Sequence, residues 1–192
     1  MVQTDTMLSP EFIYYHHETK DRNSSKHNIN RFEREWGMTG RDVMNILKKY
    51  GCPLESSYTY GTKTPPSKKI YHKASINIIK NFYQIQTIDG VKQALINIGP
   101  VYVGLPLVKN YDFASDKFWA DDKSESTSGH AVAIIGFDSD GFIFINSWGV
   151  NWGGHGYGRL LYDDFDKAYE YWCAVPYNKS NRSMKKKKCC IS

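Results

Sequence analysis

Apolar positions in the first part of the chain recur at helical spacing. Ser9-Pro10-Glu11 is typical of a helix start, and the apolar residues that follow predict a short helix over roughly 10–17. Thr39 can cap a second helix, with Val43, Ile46 and Leu47 at i, i+3 and i+4 and Gly51 at its C-terminal end. The polar residues 18–35 predict an exposed loop or insertion, and residues 61–69 predict a loop.

The pattern changes after residue 70. Thr87 can cap a third helix that places Val91, Leu95 and Ile96 on one face, and Gly99-Pro100 ends it. Residues 109–128 are polar and predict irregular chain. Strands are predicted at Val101–Leu107, Ala131–Phe137, Gly141–Ile145 and near Tyr157–Tyr162. Helices first and strands second predict an α+β fold with two lobes.

Composition excludes several classes of protein. The 192 residues are 41% hydrophobic and 23% charged, which is ordinary globular usage and excludes disorder throughout. The longest clearly apolar run, Ala131–Phe137, is far too short to span a membrane. Residues 1–20 contain no apolar core of a secretory signal, so none is expected.

The net charge of +5 is concentrated at the C-terminus. Residues 179–192 carry six basic groups and no acid, which leaves 19 basic against 20 acidic residues elsewhere. We therefore expect no nucleic-acid partner for the body of the protein, since such a body needs a basic face.

The cysteines and histidines suggest no metal or cofactor. Of four cysteines, Cys189 and Cys190 are adjacent at the C-terminus, so at most one pair could crosslink the body, and a reducing compartment fits best. Outside the motif described next, the histidines show no metal-ligand spacing, and we expect surface or loop positions for His16, His17, His27, His72 and His155.

One histidine and one asparagine carry the candidate chemistry. His130 opens a predicted strand, and Asn146 closes the next one, sixteen residues later. A hairpin of this length can make the two side chains neighbours. An amide oxygen that accepts from an imidazole N–H fixes the ring and its tautomer, so that the other nitrogen can act as a base. Trp148 could cover this hydrogen bond.

These residues belong to a longer motif that resembles the papain-like cysteine peptidases. The motif is Gly129-His130-Ala131-Val132, followed by Asn146-Ser147-Trp148-Gly149, Trp152-Gly153 and Gly156-Tyr157. Leu8-Ser9-Pro10, Tyr50-Gly51, Tyr58-Thr59-Tyr60 (with Thr59 in place of Pro) and Gly99-Pro100-Val101 match the family in the same order. The resemblance implies a papain-like two-lobed α+β domain over 7–177, with a remnant of the helical lobe at 7–69 and a β-rich lobe at 70–177.

The resemblance also assigns roles. It implies that His130 is the catalytic histidine, that Asn146 orients it, and that Trp148 and Trp152 shield the pair. The family's nucleophile and oxyanion glutamine lie in a Gln…Cys-Gly-x-Cys-Trp segment that opens the central helix before Leu-Ser-Pro. No such segment precedes Leu8, and the first cysteine is Cys52. The expectation is therefore a fold that is truncated at its N-terminus, with the central helix and the nucleophile missing.

Three functional hypotheses follow. The first is a papain-family homologue that is inactive on its own. The second is an active endopeptidase whose nucleophile comes from an upstream segment or a separate chain, and the third is a module that binds a peptide or protein. Cys52 follows a helix C-terminus, which disfavours a thiolate, so we expect an idle or buried thiol there. Cys173 is expected in a core strand.

Loss of the central helix should leave apolar helix faces open. The residues concerned are Phe12, Val43, Ile46 and Leu47. An open face of this kind would mean a decayed fragment, a face that another polypeptide covers, or a gene whose true start lies upstream.

The C-terminus carries an independent signal. Cys189-Cys190-Ile191-Ser192 matches a C-a-a-X box and predicts farnesylation of Cys189, and the paired cysteines also permit geranylgeranylation. The preceding run Lys185, Lys186, Lys187 and Lys188 would add attraction to an anionic leaflet. We therefore predict the cytoplasmic face of a eukaryotic or host membrane, or the cytoplasm. A merely solubilising basic tail is the alternative.

Overall fold

The computed structural model describes residues 7–22, 37–108 and 126–177. The helices are α1 (Pro10–Arg22), α2 (Gly40–Lys49), α3 (Lys68–Ala74) and α4 (Ile88–Asn97). The strands are β1 (Ile79–Ile85), β2 (Val101–Val108), β3 (Ser126–Phe137), β4 (Gly141–Ile145), β5 (Tyr157–Leu161) and β6 (Glu170–Pro176). The predicted α+β class is confirmed. Within the described ranges, no helix combines the length and the apolar character that a membrane crossing requires.

The predicted caps of α1 and α2 are present. The Phe12 amide donates to Ser9 Oγ at 3.2 Å, and the Asp42 amide donates to Thr39 Oγ1 at 3.2 Å. Gly51 ends α2 at a φ of 76°, which glycine adopts without a steric penalty. However, α1 continues to Arg22, so 18–22 is helix and not loop. The rest of the predicted 18–35 loop lies outside the described residues.

Two elements were not predicted from the sequence pattern. The helix α3 begins at Lys68, inside the predicted loop 61–69, with the Ile70 amide 3.4 Å from Ser67 Oγ. The strand β1 lies between α3 and α4. In α4 the Thr87 cap is confirmed, since the Gly90 amide donates to Thr87 Oγ1 at 3.0 Å. Of the three residues grouped on one face of α4, Val91 is buried and Ile96 is 64% exposed.

The six strands form one sheet in the order β1-β6-β2-β3-β4-β5. The pairings from β6 through β5 are antiparallel, and the register places Leu105 opposite His130 and Ala133 opposite Ile145. The strand β3 starts at Ser126, five residues before the predicted Ala131, so 126–128 is strand and not irregular chain. Residues 109–125 lie outside the described ranges. The strand β6 contains Cys173, so the expected core strand at this residue is confirmed.

The described chain divides into two compact units. The helical unit contains residues 7–16, Ile46–Asn81 and 175–177, and the sheet unit contains Phe82–Ala174 together with the described residues between His17 and Asn45. The core of the sheet unit is built from alternate residues on one face of the strands and from α4, with members such as Val91, Val103, Leu105, Phe142 and Phe144. The predicted domain bounds of 7–177 and their division at residue 69 stay a prediction.

The helical unit has its own small core, and this corrects one expectation. Phe12 is 0% exposed and Ile46 is 3% exposed, although both were expected on open faces. For Phe12 the reason is α3, which the sequence pattern did not predict: its Tyr71 ring lies 5.6 Å from the ring of Phe12. Val43 and Leu47 are partly buried.

Candidate active site around His130 and Asn146

The hairpin between β3 and β4 brings the two candidate residues together. Its turn is fixed by Asp138, whose Oδ1 accepts from the amides of Asp140 at 2.9 Å and Gly141 at 3.1 Å. Asp138 also forms an ion pair with Arg159 of β5 at 2.7 Å. The pKa of Asp138 is lowered most by the hydrogen bond from the Asp140 amide, and the Gly141 amide and Arg159 lower it further, so the carboxylate stays charged. The turn therefore sets the register that aligns the far ends of the two strands.

His130 and Asn146 are hydrogen-bonded. His130 lies within β3 instead of opening a strand as predicted, and Asn146 directly follows β4. The distance from His130 Nε2 to Asn146 Oδ1 is 2.9 Å. Asn146 Oδ1 also accepts from the Ser147 amide at 2.8 Å, and since an amide oxygen only accepts, Nε2 must carry the proton. In this tautomer Nδ1 is the ring nitrogen without a proton.

The surroundings keep the imidazole of His130 neutral. Burial lowers its pKa, and the hydrogen bond that it donates to Asn146 Oδ1 raises it by a smaller amount. The net effect is a lowered pKa, so the ring is an uncharged base near neutral pH. This is the protonation state that a proton acceptor needs.

Trp148 covers the ring of His130, and Trp152 packs against Trp148. The Trp148 ring stacks on His130 with centroids 4.5 Å apart and an interplanar angle of 26°. Trp152 meets Trp148 edge-on at 5.4 Å and is itself only 5% exposed. Gly158 makes room for this arrangement, since a Cβ there would lie 2.4 Å from Phe144 and 2.8 Å from Trp152. The ring of Trp148 therefore limits the access of water to the imidazole.

The site contains two buried N–H groups with unused hydrogen-bonding capacity. They are Asn146 Nδ2 and Trp152 Nε1, and neither has a hydrogen-bond partner within the described part of the chain. The Asn146 backbone is held separately, since its amide donates to the Gly156 carbonyl at 2.9 Å. The sequence motif gave no signal for these two donors.

Both cysteines in the described part of the chain are buried. Cys52 is 1% exposed in the core of the helical unit, and its thiol donates to the Ser9 carbonyl at 3.3 Å. Burial raises the pKa of Cys52 to about 12, which confirms an idle thiol. Cys173 is also 1% exposed, in β6, and burial raises its pKa.

The sheet register separates Cys173 from His130. Val101 of β2 lies opposite Cys173 on one side and Ile134 on the other. Cys173 is therefore two strands away from β3 and four residues along it from His130, a backbone separation of roughly 16 Å. A thiol at that distance cannot exchange a proton with the imidazole.

The structure describes some of the remaining candidate residues. The residues that the structure describes include no group of three potential metal ligands. His72 and His155 are exposed as expected. The surface position expected for His16 was wrong, because this residue is 5% exposed. His27, Cys189 and Lys185, Lys186, Lys187 and Lys188 lie outside the described residues.

The comparison with protein families decides the family. The family model described as papain family cysteine protease matches residues 24–180. The chain belongs to the papain family of cysteine proteases. The resemblance predicted from the motifs is therefore confirmed.

Relatives and solved structures agree with this assignment. An uncharacterized peptidase C1-like protein of Acanthamoeba polyphaga mimivirus is 26% identical over 188 residues, covering 86% of this chain and 58% of its own. Cathepsin Q of Rattus norvegicus is 24% identical over 137 residues, covering 67% of this chain and 40% of its own. This chain thus spans roughly half the length of these relatives. Xylellain, a cysteine protease from Xylella fastidiosa, has a TM-score of 0.72 at 24% identity, covering 89% of this chain and 70% of its own, which shows the papain-like fold.

Proposed function

We propose that this papain-family chain supplies the imidazole and amide half of a cysteine-peptidase site and has no peptidase activity by itself. The observation that supports this most directly is the 2.9 Å hydrogen bond between His130 Nε2 and Asn146 Oδ1 beneath Trp148. This arrangement is what a thiol attack on a peptide carbonyl requires of its base: an oriented, neutral imidazole with one acceptor nitrogen.

The roles of the individual residues follow from this geometry. His130 Nδ1 would take the proton of a thiol and later give it to the leaving amine. Asn146 would hold the ring plane and stabilise the imidazolium that forms in between, because its carbonyl dipole points at Nε2–H. Trp148 and Trp152 would strengthen that interaction by excluding water.

Inactivity of the isolated chain is proposed because the described cysteines cannot supply the thiolate. At neutral pH a thiol with a pKa of about 12 is almost entirely protonated, and this is the state of Cys52. Cys173 is buried in the sheet far from His130. The described chain thus contains the His130–Asn146 pair but no thiol that this pair could activate.

A second candidate is an active endopeptidase whose thiol comes from an upstream segment or from another chain. The preformed His130–Asn146 pair favours it, as does the 58% and 40% coverage of the two relatives above. The reaction would then be hydrolysis of a peptide bond through a covalent thioester on that thiol, with His130 as acid and base.

The experiment is labelling of the purified 192-residue chain with a thiol-directed epoxide, together with a fluorogenic peptide assay. We expect no hydrolysis, and any slow labelling should be the same in His130→Ala, because no thiol depends on the imidazole. Labelling or hydrolysis that His130→Ala abolishes and Asn146→Ala reduces would contradict inactivity. The same assay on a product extended through the upstream reading frame tests the second candidate.

We propose further that the C-terminal tail anchors the protein to a cytoplasmic membrane surface. The support is the sequence Lys185-Lys186-Lys187-Lys188 directly before Cys189, which pairs a prenyl acceptor with a polybasic run. One prenyl chain binds membranes only weakly, and about 1 kcal/mol per lysine near an anionic leaflet supplies the second attraction.

This anchoring is tested with the chain ending at Ser192. Incubation with farnesyl or geranylgeranyl diphosphate and the matching transferase should add one lipid mass, and Cys189→Ser should prevent it. In cells, a Cys189→Ser, Cys190→Ser variant should leave the membrane fraction. A double variant that stays in that fraction would refute anchoring by the lipid.

A further inference from the structure

The two units carry opposite charges, which the summed sequence charge conceals. Among its described residues, the helical unit has seven lysines and two glutamates, a net charge of +5. The described chain of the sheet unit has ten acidic and six basic residues, a net charge of −4. The near-neutral charge of the chain outside the tail therefore combines a basic helical unit with an acidic sheet unit.

The lysines of the helical unit are concentrated on α3. Lys68, Lys69, His72 and Lys73 are all exposed, and we call these four residues the α3 basic stripe. At 3.6 residues per turn, they occupy an arc of about 140°. The opposite arc carries Ile70, Tyr71 and Ala74, which pack into the core of the unit. Substitution within the stripe therefore leaves the buried face of α3 unchanged.

The two glutamates of this unit accept hydrogen bonds from backbone amides. Glu11 Oε2 accepts from the Gly61 amide at 3.0 Å, and Glu55 Oε1 accepts from the Tyr60 amide at 2.6 Å. The ammonium of Lys73 donates to the neutral hydroxyl of Ser57 at 2.9 Å, so this hydrogen bond leaves its positive charge in place.

Further positive charge lies beside α3. Lys49 at the end of α2 lies over the Tyr50 ring at 4.8 Å, and that ring is 5.8 Å from the ring of Tyr71 in α3. Lys49 therefore adds to the positive charge of the unit near the Tyr71 side of α3, without belonging to the stripe.

An exposed apolar residue continues the stripe. The helix α3 passes directly into the single turn Ser75–Asn77, where Ile76 is 58% exposed. Ile76 is three and four residues beyond Lys73 and His72, so helical spacing places it on the stripe's side of the element. Lysines with an exposed branched aliphatic residue at one end suit the headgroup boundary of a bilayer, where the ammonium groups meet lipid phosphates and the aliphatic group enters the acyl region.

We propose that the α3 basic stripe is a docking surface for an anionic lipid bilayer, with Ile76 entering the interface. The proposal rests on the membrane anchoring proposed above. Continuity with the tail favours a bilayer as the occupant. The described chain of this same unit ends at Tyr177, and only seven residues separate it from the lysine run that leads to Cys189. The lipid anchor and the stripe would therefore hold the helical unit against the leaflet at two places.

The test is co-sedimentation of the unprenylated 192-residue chain with vesicles of phosphatidylcholine alone or with about 30 mol% phosphatidylserine. Lys68→Gln/Lys69→Gln removes two charges of the stripe. Lys63→Gln/Lys80→Gln is the matched control, since both of its lysines are exposed, belong to the same unit and lie outside the stripe. Circular dichroism verifies that both variants are folded.

The stripe variant should bind the anionic vesicles on the order of 30-fold more weakly, and the control should change by less than about threefold. The difference should shrink as salt is added, because screening reduces the attraction of both proteins. Ile76→Ser should weaken vesicle binding without affecting binding to an RNA oligonucleotide. Equal losses in the stripe and control variants would overturn the proposal, as would a stripe variant that loses RNA binding and keeps vesicle binding.

A further comparison of two variants distinguishes docking through α3 from anchoring through the tail. A variant with glutamine at 185–188 is compared with and without the stripe substitutions. If the stripe substitutions weaken binding in both backgrounds, the α3 surface acts independently of the tail. If only the tail substitutions weaken it, the stripe proposal is overturned and anchoring by the tail stands. If prenylation of Cys189 fails while the stripe effect persists, only the lipid anchor is refuted.

Discussion

Acidification should destabilise the helical unit through His16. This residue is 5% exposed, and its ring stacks on Tyr50 with centroids 4.1 Å apart and an interplanar angle of 12°. The edge of Phe12 packs against it at 4.7 Å. Burial, and secondly the charge of Lys49, lower the pKa of His16 from 6.5 to about 4. The folded unit therefore holds this imidazole in its neutral form.

The shift fixes the sign and the size of the effect. The unfolded chain binds a proton at His16 below about pH 6.5, and the folded chain binds it only below about pH 4. The contribution of neutral His16 to the free energy of unfolding is therefore fully present above pH 6.5 and is lost as the pH falls towards 4. A shift of about 2.5 units is worth about 3 kcal/mol in total, and about 2 kcal/mol of it is lost between roughly pH 7.5 and pH 5.

The assay is urea unfolding followed by circular dichroism at several pH values, on the parent, on His16→Phe and on His72→Gln. The phenyl ring preserves the aromatic contacts and cannot bind a proton, so His16→Phe should lack the loss of about 2 kcal/mol. His72→Gln is the control for removal of an exposed histidine from α3 and should behave as the parent does. Identical pH dependence in the parent and His16→Phe, or an NMR titration midpoint of His16 near pH 6.5, would refute the reasoning.

Two further predictions concern a glycine and the candidate site. Gly51→Ala should lower the free energy of unfolding by about 3 kcal/mol or more, because its Cβ would lie 2.1 Å from the Ala74 carbonyl oxygen in addition to the cost of a φ of +76°. Gly61→Ala, at a φ of +82° with open space around it, should lower the free energy of unfolding by only about 1–2 kcal/mol. If urea unfolding shows the same loss for Gly51→Ala and Gly61→Ala, the steric clash at Gly51 is contradicted. Asn146→Ala should lower the pKa of His130 further, because the hydrogen bond it removes is the contribution that raises that pKa. An NMR titration measures this, and an unchanged midpoint would show that the bond does not persist in solution.

Local signals were sufficient to predict some elements. The helix α4 was predicted because Thr87 and Gly99-Pro100 mark its limits and because the apolar residues between them, among them the buried Val91, have helical spacing. The hairpin of β3 and β4 was predicted from two apolar runs joined by Asp138-Ser139-Asp140-Gly141. The His130–Asn146 contact follows from the same hairpin, since an antiparallel pair joined by a short turn returns the chain to its starting level.

Other elements gave no comparable local signal. The strand β1, Ile79–Ile85, mixes polar and apolar residues at the edge of the sheet, and none of its side chains is fully buried. The helix α3 has seven residues, too few for its periodicity to stand out from a loop that contains Pro65-Pro66. Because α3 was not predicted, the burial of Phe12 and His16 could not be predicted either.

The sequence by itself determined the α+β class, the family, and the pairing of an imidazole with an amide, because each depends on short-range chemistry: caps, turns and a motif within one hairpin. Only the tertiary structure decided which groups are deprived of water and which charges share a surface. The low pKa of His16 and the idle thiol of Cys52 both arise when segments distant in sequence pack together. Desolvation and long-range electrostatics depend on distances in space, which a linear pattern does not specify.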